Sequence, residues 1–396
     1  MRQLSFAQVC ARRLERQGLV SPLPGAGPGA RPDARSEARS EAGPRPADVA
    51  ARLGGVHAQV LSAAELSIGL RTRDTTRVDV REALWTERSL VKTRGPRFTV
   101  HLLATEDLPM WTGALSALPI QTHKLLSDEQ AEQVVAAIAD ALRDAELTTD
   151  ELTEAVVART GPWAGDRVMD AFQDKWPRWI EAMSLATRRG AMCFGPNRGR
   201  QITYTNPARW LPGFQPAEAG TALAEVVRRY LYAYGPATPT HFAQWLAAPK
   251  RWATELFDSL GAELEQVSVA GTAAWVVAGD TAAPTGLPDG VRLLPYFDAY
   301  PVGCFPREHV FPGRAAERAL AGGQAGNYPV LLVDGVVAGV WHQRRSGRRL
   351  DVTVEPLTRL TAAHRHDLDD QVQRIGEILE ATPRLTIGEV AVGPHA

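Results

Sequence analysis

The sequence repeats one order of predicted elements three times, several helices followed by a two-stranded hairpin. In the first copy the helical patterns lie near 47–53, 60–70 and 77–86, and the hairpin is the segment 90–103. In the second copy they lie near 128–143, 149–159 and 166–187, before a hairpin pattern at 191–205. The third copy has helical patterns at 219–234, 238–246 and 249–261 and strands at 263–269 and 273–278. This order is typical of a winged helix, so it predicts three such units in tandem.

The remainder of the chain has a strand-rich pattern. Strands are predicted at 291–297, 329–343 and 350–357, with a two-residue turn at Asp334–Gly335 and a closing helix near 361–381. The predicted fold class is α+β, mainly α with small β-hairpins. Its predicted domains are winged helix 1 (1–120), winged helix 2 (121–216), winged helix 3 (217–285) and a C-terminal β-rich domain (286–396). The first helix of the third unit is predicted to end in a left-handed cap at Gly235, before Pro236.

The segment 21–47 interrupts the first unit. It is rich in Pro, Gly, Ala and Arg and has almost no large apolar side chain, so it cannot bury enough surface to become ordered. We predict a disordered insert there. An inert linker and a basic strap over DNA both remain open as its role.

Charge and cysteine content exclude several classes of protein. The net charge is −1, so bulk electrostatics give no support to nucleic-acid binding. Only four of the 44 basic residues are lysines, and the others are arginines. Three cysteines far apart in sequence cannot form a disulfide framework, and the chain has no CxxC pair for a zinc site. No metal and no cofactor are predicted. The absence of a long apolar run and of a signal sequence predicts a cytoplasmic protein without a membrane span.

Local charge is uneven, because three windows contain no acid and several cations. They run from Glu87 to Glu106, from Glu181 to Glu218 and from Asp334 to Asp351, and each covers a predicted hairpin. Arginines on hairpins can contact a phosphate backbone or enter a groove. An alternative is that solvated hairpins carry arginine by default in an arginine-rich protein. The predicted DNA-binding residues are Lys92, Arg94, Arg97, Arg198, Arg200, Lys250, Arg251, Arg344, Arg345 and Arg348.

His57 and Gln59 are two polar residues in an otherwise apolar run just after Gly54–Gly55. Positions i and i+2 share a side in extended backbone but diverge on a helix, so joint action needs an extended or turn geometry before the next helix. The two glycines allow such a geometry. The alternative is that both side chains cap the following helix or satisfy buried backbone groups.

Three stretches of the chain resemble the AlkZ/YcaQ-like DNA glycosylases, a family of winged-helix proteins. They are GGVHAQ (54–59), LVKTRGPRFTVHLL (90–103), and the ordered set YGPATPTHFAQWL (234–246), LLPYFDAY (293–300) and VVAGVWHQRR (336–345). The resemblance runs through nearly all of the chain except the insert, and it implies three winged helices around a concave DNA channel plus a C-terminal β domain.

The activity that the resemblance implies is excision of alkylated purines, in some members bulky adducts or crosslinks made by genotoxic natural products. The family's catalytic triplet maps onto His57-Ala58-Gln59, where His57 replaces the Gln of the best-known pattern. We therefore expect a monofunctional DNA glycosylase for N7-alkylated purines that acts as a monomer on double-stranded DNA. Asp298 is expected to cap a helix or form a turn, with an anchoring role left open.

Two other classes of protein remain as alternatives. A non-catalytic winged-helix transcription regulator would be expected to dimerise on a palindromic site, and the sequence has no long heptad or apolar dimer helix. A metabolic enzyme or toxin-binding resistance protein would not bind nucleic acid. Salt-dependent binding to random duplex DNA separates this last class from the other two.

Overall fold

A computed structural model of the chain describes residues 1–21, 23, 44–119, 124–170 and 174–394. Most of the predicted insert 21–47 lies outside the described residues. The described chain separates into two compact units by its contacts. Unit 1 comprises Met1–Ala83 and Val227–Ala396, and unit 2 comprises Leu84–Val226.

The α-helices of the described chain are numbered in chain order. They are α1 (Phe6–Arg16), α2 (Pro46–Leu53), α3 (Leu61–Gly69), α4 (Arg77–Trp85), α5 (Leu108–Ser116), α6 (Asp128–Leu142), α7 (Thr149–Thr160), α8 (Met183–Arg188), α9 (Ala219–Tyr234), α10 (Pro239–Leu246), α11 (Lys250–Leu260), α12 (Ala299–Gly303), α13 (Arg307–Val310), α14 (Arg314–Ala319) and α15 (Ala362–Ile378). Short 3-10 helices lie at Pro96–Phe98, Thr105–Asp107, Pro162–Gly165, Arg178–Ala182, Pro207–Arg209 and Gly261–Glu263.

The strands are numbered in the same way. They are β1 (Gln3–Leu4), β2 (Val56–His57), β3 (Leu90–Arg94), β4 (Val100–Ala104), β5 (Leu147–Thr148), β6 (Arg167–Asp170), β7 (Lys175–Pro177), β8 (Cys193–Arg198), β9 (Gln201–Thr205), β10 (Leu264–Val269), β11 (Thr272–Val277), β12 (Val291–Leu294), β13 (Val330–Val333), β14 (Val336–Ser346), β15 (Arg349–Pro356) and β16 (Thr382–Ile387). Helices and strands together make an α+β protein, which confirms the predicted fold class.

The third predicted copy has its elements in the expected order. Helices α9, α10 and α11 are followed by the antiparallel pair β10–β11. Helix α10 begins with a capping box, in which the hydroxyl of Thr238 accepts a hydrogen bond from the backbone N–H of His241. Its first residue is Pro239, whose missing N–H costs nothing at that position. The division of the chain into three winged helices stays a prediction.

The helix predicted at 166–187 is wrong in its first half. The described residues form the antiparallel strands β6 and β7 there, and helical structure starts only at Arg178. The reason is Pro177, which lacks an N–H and whose ring would clash with the preceding turn of a helix. Met169 and Trp176 face each other across the ladder instead.

The left-handed cap predicted at Gly235 is also wrong, because this glycine does not take a positive φ. A glycine is nevertheless required, since a Cβ at this position would lie 2.3 Å from the carbonyl oxygen of Leu231. The peptide bond to Pro236 is cis. The backbone at Gly235 therefore lies so close to the last turn of α9 that position 235 has no room for a side chain.

A five-stranded sheet forms the C-terminal part of unit 1, in the order β12-β13-β14-β15-β16. The predicted turn is confirmed, because Val333 pairs with Val336 and both Asp334 and Gly335 have positive φ values, of 51° and 83°. Helix α15 packs against this sheet. Their shared core includes Leu66 of α3, so the helix that follows the His57 segment is anchored in the C-terminal sheet.

Helix α1 fixes the C-terminus of α9, where the last carbonyls of a helix have no partner within the helix. The guanidinium of Arg13 donates to the carbonyl oxygen of Tyr234 at 2.8 Å, and the side-chain amide of Gln17 donates to that of Ala233 at 3.1 Å. Buried Arg12 pairs with Asp280 at 2.7 Å. The N-terminal helix is thus an integral part of unit 1.

The described part of unit 2 contains several antiparallel strand pairs and a separate core. Strand β3 pairs with β4, and β8 pairs with β9, both antiparallel. Helices α6 and α7 bury Val134, Ile138, Leu152 and Val156 in this core, together with Trp179. Within the part of the chain that the structure describes, no helix has the length and apolar character to cross a membrane.

Candidate active site and DNA-contact residues

The segment that carries His57 and Gln59 is extended and lies between two helices. Helix α2 ends at Leu53, and Gly54 and Gly55 follow with φ values of 66° and 102°. Both values are in the left-handed region, which glycine adopts without strain. Strand β2 and the next three residues are extended or bent, and helix α3 begins at Leu61. The chain is therefore not helical between His57 and Gln59.

The two predicted catalytic side chains have different surroundings. His57 is 8% exposed, and its ring lies against that of Phe297 with the centroids 4.3 Å apart and the planes tilted by 31°. Gln59 is exposed and forms no hydrogen bond among the described residues. The N-cap of α3 is Val60, which makes no side-chain capping hydrogen bond.

A buried ion pair lies next to Phe297. Both guanidinium Nη atoms of Arg71 donate to the carboxylate of Asp298, each at 2.8 Å, and both side chains are fully buried. The hydroxyl of Ser67 donates to the same carboxylate at 2.7 Å, and the backbone N–H of Tyr300 donates to it at 3.0 Å. Asp298 thus caps α12, as expected, and also anchors α3, the role that the sequence left open.

This network fixes the ring that packs on His57. Phe297 has a φ of 54°, a left-handed value that is unfavourable for an aromatic residue and needs support from its surroundings. The backbone N–H of Phe297 donates to the carbonyl oxygen of Gly326 at 3.0 Å, and the adjacent Asp298 is tied to Ser67 and Arg71 near the end of α3. The two residues of the ring contact are therefore both linked to α3. His57 is linked by the chain, which enters α3 directly after its segment, and Phe297 is linked by the bonds of Asp298.

In unit 2, three of the predicted DNA-binding residues lie on the β3–β4 hairpin. Lys92 and Arg94 are half-buried on β3, where burial lowers the pKa of both side chains. Arg97 lies in the turn and has a φ of 59°. Two more, Arg198 and Arg200, are exposed at the β8–β9 hairpin, where Arg198 pairs with Glu151 at 2.7 Å.

The other predicted DNA-binding residues are in unit 1. Lys250 and Arg251 are exposed at the start of α11, and Arg251 pairs with Glu255 at 2.8 Å. Arg344, Arg345 and Arg348 are exposed at the β14–β15 hairpin. Arg345 donates to the backbone carbonyls of residues 347 and 379, so part of its hydrogen-bonding capacity is used within the chain.

Sequence reasoning missed two residues of interest. Phe297 was part of the motif LLPYFDAY, but no sequence signal links this ring to His57, which is far away along the chain. Arg188 lay inside an acid-free window and was not selected among its arginines. It is buried, and its guanidinium carbon is 3.6 Å from the ring centroid of Phe98.

Comparisons with known proteins show the family to which the chain belongs. A family described as "DNA glycosylase AlkZ-like" matches residues 50–378. The "Interstrand DNA cross-link repair glycosylase" of Streptomyces sahachiroi is 33% identical over 324 residues, which are 75% of this chain and 82% of that protein. The solved structure "Streptomyces sahachiroi DNA glycosylase AlkZ" is 28% identical with a TM-score of 0.77, and the match covers 98% of this chain and 100% of that one. The chain therefore belongs to the AlkZ-like family of DNA glycosylases.

Proposed function

We propose that this glycosylase excises N7-alkylated purines, including bulky adducts and interstrand crosslinks, by attack of water at C1′ of the damaged nucleotide. The observation that carries the proposal is the extended link between α2 and α3, which presents His57 and Gln59 two residues apart. The name of the Streptomyces relative, a cross-link repair glycosylase, supports crosslinks as a substrate class. Membership of an enzyme family speaks against a non-catalytic regulator.

The chemistry of the lesion makes modest catalysis sufficient. Alkylation at N7 makes the purine cationic, so the base is already a good leaving group and needs no strong protonation. The enzyme has to position a water molecule at C1′ and assist its deprotonation. General-base assistance contributes roughly 10²–10⁴-fold, which suits a labile lesion and leaves an undamaged nucleotide essentially inert.

We assign these tasks to the two side chains by their chemistry. The carboxamide oxygen of Gln59 accepts a hydrogen bond from the water, and its NH₂ group can donate to a sugar or phosphate oxygen. The imidazole of His57, when it is in its neutral form, accepts the proton of the water. Its contact with Phe297 restricts rotation of the ring, while the exposure of Gln59 makes its amide accessible to DNA. No cofactor is needed for these steps.

We further propose that the cations of the predicted DNA-binding set hold the duplex by its phosphates. They lie on hairpins or at the start of a helix, and most are exposed. Such contacts position the protein without reading sequence. This fits an enzyme that must act on a lesion in any sequence, and we retain the prediction that it works as a monomer.

The test uses duplex DNA alkylated at guanine N7. We expect the wild-type protein to release the modified base and to leave abasic sites that break in alkali. The variant Gln59→Ala should lose this release by at least about 10²-fold, and His57→Ala by a similar factor. Because Gln59 is exposed, its variant should keep the thermal stability and DNA affinity of the wild type.

The matched control is Val60→Ala. Val60 is the next residue, is 41% exposed and has no group that could take part in the chemistry, so its variant should retain full release. Full activity of Gln59→Ala would refute the assignment of the catalytic residues. Separately, a crosslinked duplex tests the substrate class, since unhooking converts it to single strands on a denaturing gel.

A further inference from the structure

Arg188 is a buried cation that lacks the partners of other buried arginines in the chain. It is 7% exposed, and its Nε and Nη1 atoms are buried without a hydrogen-bond partner among the described residues. By contrast, buried Arg71 and Arg12 each pair with an aspartate. Burial lowers the pKa of Arg188 to about 10, and no acidic side chain among the described residues raises this pKa again. A charge removed from water without a counter-charge is costly, so this arrangement favours binding of an anion.

Two further cations of unit 2, Lys92 and Arg94, lie on β3. Arg94 donates to the backbone carbonyl oxygen of Phe98 at 2.8 Å. The guanidinium of Arg188 packs on the ring of the same Phe98. Lys92 is two residues from Arg94 on β3, so both side chains lie on one side of the strand. Strand β3 packs against α8, which ends at Arg188. Neither Lys92 nor Arg94 forms an ion pair with an acid among the described residues.

The backbone beneath this cluster is held in an unfavourable conformation. Arg97 and Phe98 are consecutive non-glycine residues with positive φ values, of 59° and 55°. Such residues cost free energy and are concentrated at functional sites. Here the turn has a visible consequence, because it places the Phe98 ring against the guanidinium of Arg188.

We propose that Lys92, Arg94 and Arg188 form a phosphate seat, a site that binds one phosphodiester group of the DNA backbone. The proposal rests on the proposed function for the source of the anion, which is duplex DNA. The guanidinium groups supply the planar pairs of N–H donors that match phosphate oxygens, and Lys92 supplies a third charge. Arg188, which the sequence did not single out, is its central member.

The alternative role for Arg188 is purely structural, as a cation packed on an aromatic ring. Replacement by methionine separates the two roles, because a methionine retains apolar packing on Phe98 and removes the unpaired charge. If Arg188 has only a structural role, Arg188→Met should lower the melting temperature and leave DNA affinity unchanged. If Arg188 belongs to a phosphate seat, Arg188→Met should have a melting temperature in chloride equal to or above that of the wild type, and it should bind DNA more weakly.

The experiment measures the affinity of the full-length protein for undamaged duplex DNA over a series of NaCl concentrations. We expect Arg188→Met to weaken binding by about tenfold and to reduce the slope of log K against log salt by about 0.9, which is one phosphate contact. Arg188→Lys should recover part of the affinity. The control is Arg189→Met, which removes a neighbouring exposed cation that pairs with Glu132 and should leave the affinity within about twofold.

A second arm adds inorganic phosphate or chloride at matched ionic strength and records thermal unfolding. Phosphate should raise the melting temperature of the wild type and not that of Arg188→Met. Unchanged affinity and salt slope in Arg188→Met would overturn the proposal, even if phosphate stabilises the wild type, because the ligand would then be free phosphate and not the duplex. Since the DNA is undamaged, a failure to excise N7-alkylated bases bears on the proposed function and not on this result.

Discussion

Removal of the Asp298 carboxylate should strongly destabilise unit 1. This carboxylate accepts four hydrogen bonds, two from Arg71, one from Ser67 and one from the backbone N–H of Tyr300, all between 2.7 and 3.0 Å. In Asp298→Ala the Arg71 guanidinium stays fully buried and loses its counter-charge. Breaking one partner of a buried ion pair costs about 3–5 kcal/mol, so we expect a loss of that size in the free energy of unfolding.

The assay is urea unfolding, and it includes a double variant that removes both charges of the pair. Arg71→Met combined with Asp298→Leu replaces both charges with apolar side chains of similar size, and this double variant should recover most of the loss. The control is Glu255→Ala, which breaks the exposed pair with Arg251 and should leave the urea midpoint nearly unchanged. Both variants remove one carboxylate from an arginine pair, but the Asp298 pair is buried and bidentate, whereas the Glu255 pair is exposed and joined by one hydrogen bond.

The same change should reduce excision for a reason separate from stability. Asp298 supports the left-handed backbone of Phe297, whose ring packs on His57. At a temperature where Asp298→Ala is fully folded, we expect base release to fall while DNA affinity is retained. The reasoning is refuted if Asp298→Ala costs less than about 1 kcal/mol, or if the double variant is no more stable than the single one.

Two other changes probe unit 1. Burial lowers the pKa of His241 to about 4, below the ordinary value of about 6.5, so the unfolded chain binds an extra proton between these pH values. The free energy of unfolding should therefore fall as the pH drops from about 6.5 towards 4, by at most about 1.4 kcal/mol per pH unit. The variant His241→Gln preserves the capping box with Thr238, and its free energy of unfolding should depend less steeply on pH over this range. An identical slope would contradict this. Gly235→Ala should cost about 1–3 kcal/mol, because its Cβ would lie 2.3 Å from the backbone oxygen of Leu231. Gly286→Ala, with open space around it, should be neutral, and equal urea midpoints for the two variants would count against the steric argument.

Local patterns in the sequence predicted the elements that depend on local chemistry. The hairpin turn at Asp334–Gly335 follows from the positive φ values that this pair tolerates. The helix predicted near 361–381 is observed as Ala362–Ile378, with Thr361 as its cap. The extended geometry around His57 was predicted from the chemistry that two residues at i and i+2 would need, and the diglycine before it makes that geometry accessible.

Features that depend on long-range contacts could not be predicted. Strand β16 (Thr382–Ile387) pairs in parallel with β15, and nothing in its own residues specifies that neighbour. The environment of Arg188 is set by the Phe98 ring, which a hairpin turn brings from a distant part of the sequence. For the same reason an acid-free window of sequence shows where cations are plentiful, but it cannot show which of them is buried without a counter-charge.

The position of His57 depends on the C-terminal part of the chain as well as on its own segment. The link 56–60 lies between the diglycine and helix α3. That helix is held by Leu66 in the core of the C-terminal sheet and by Gly69, where a Cβ would come within 2.7 Å of a side-chain atom of Ile378. A substitution that displaces α3 should therefore disturb base release even when it lies far from the His57 ring in sequence. It follows that a fragment that ends before β12 should fail to excise the base although it retains His57 and Gln59.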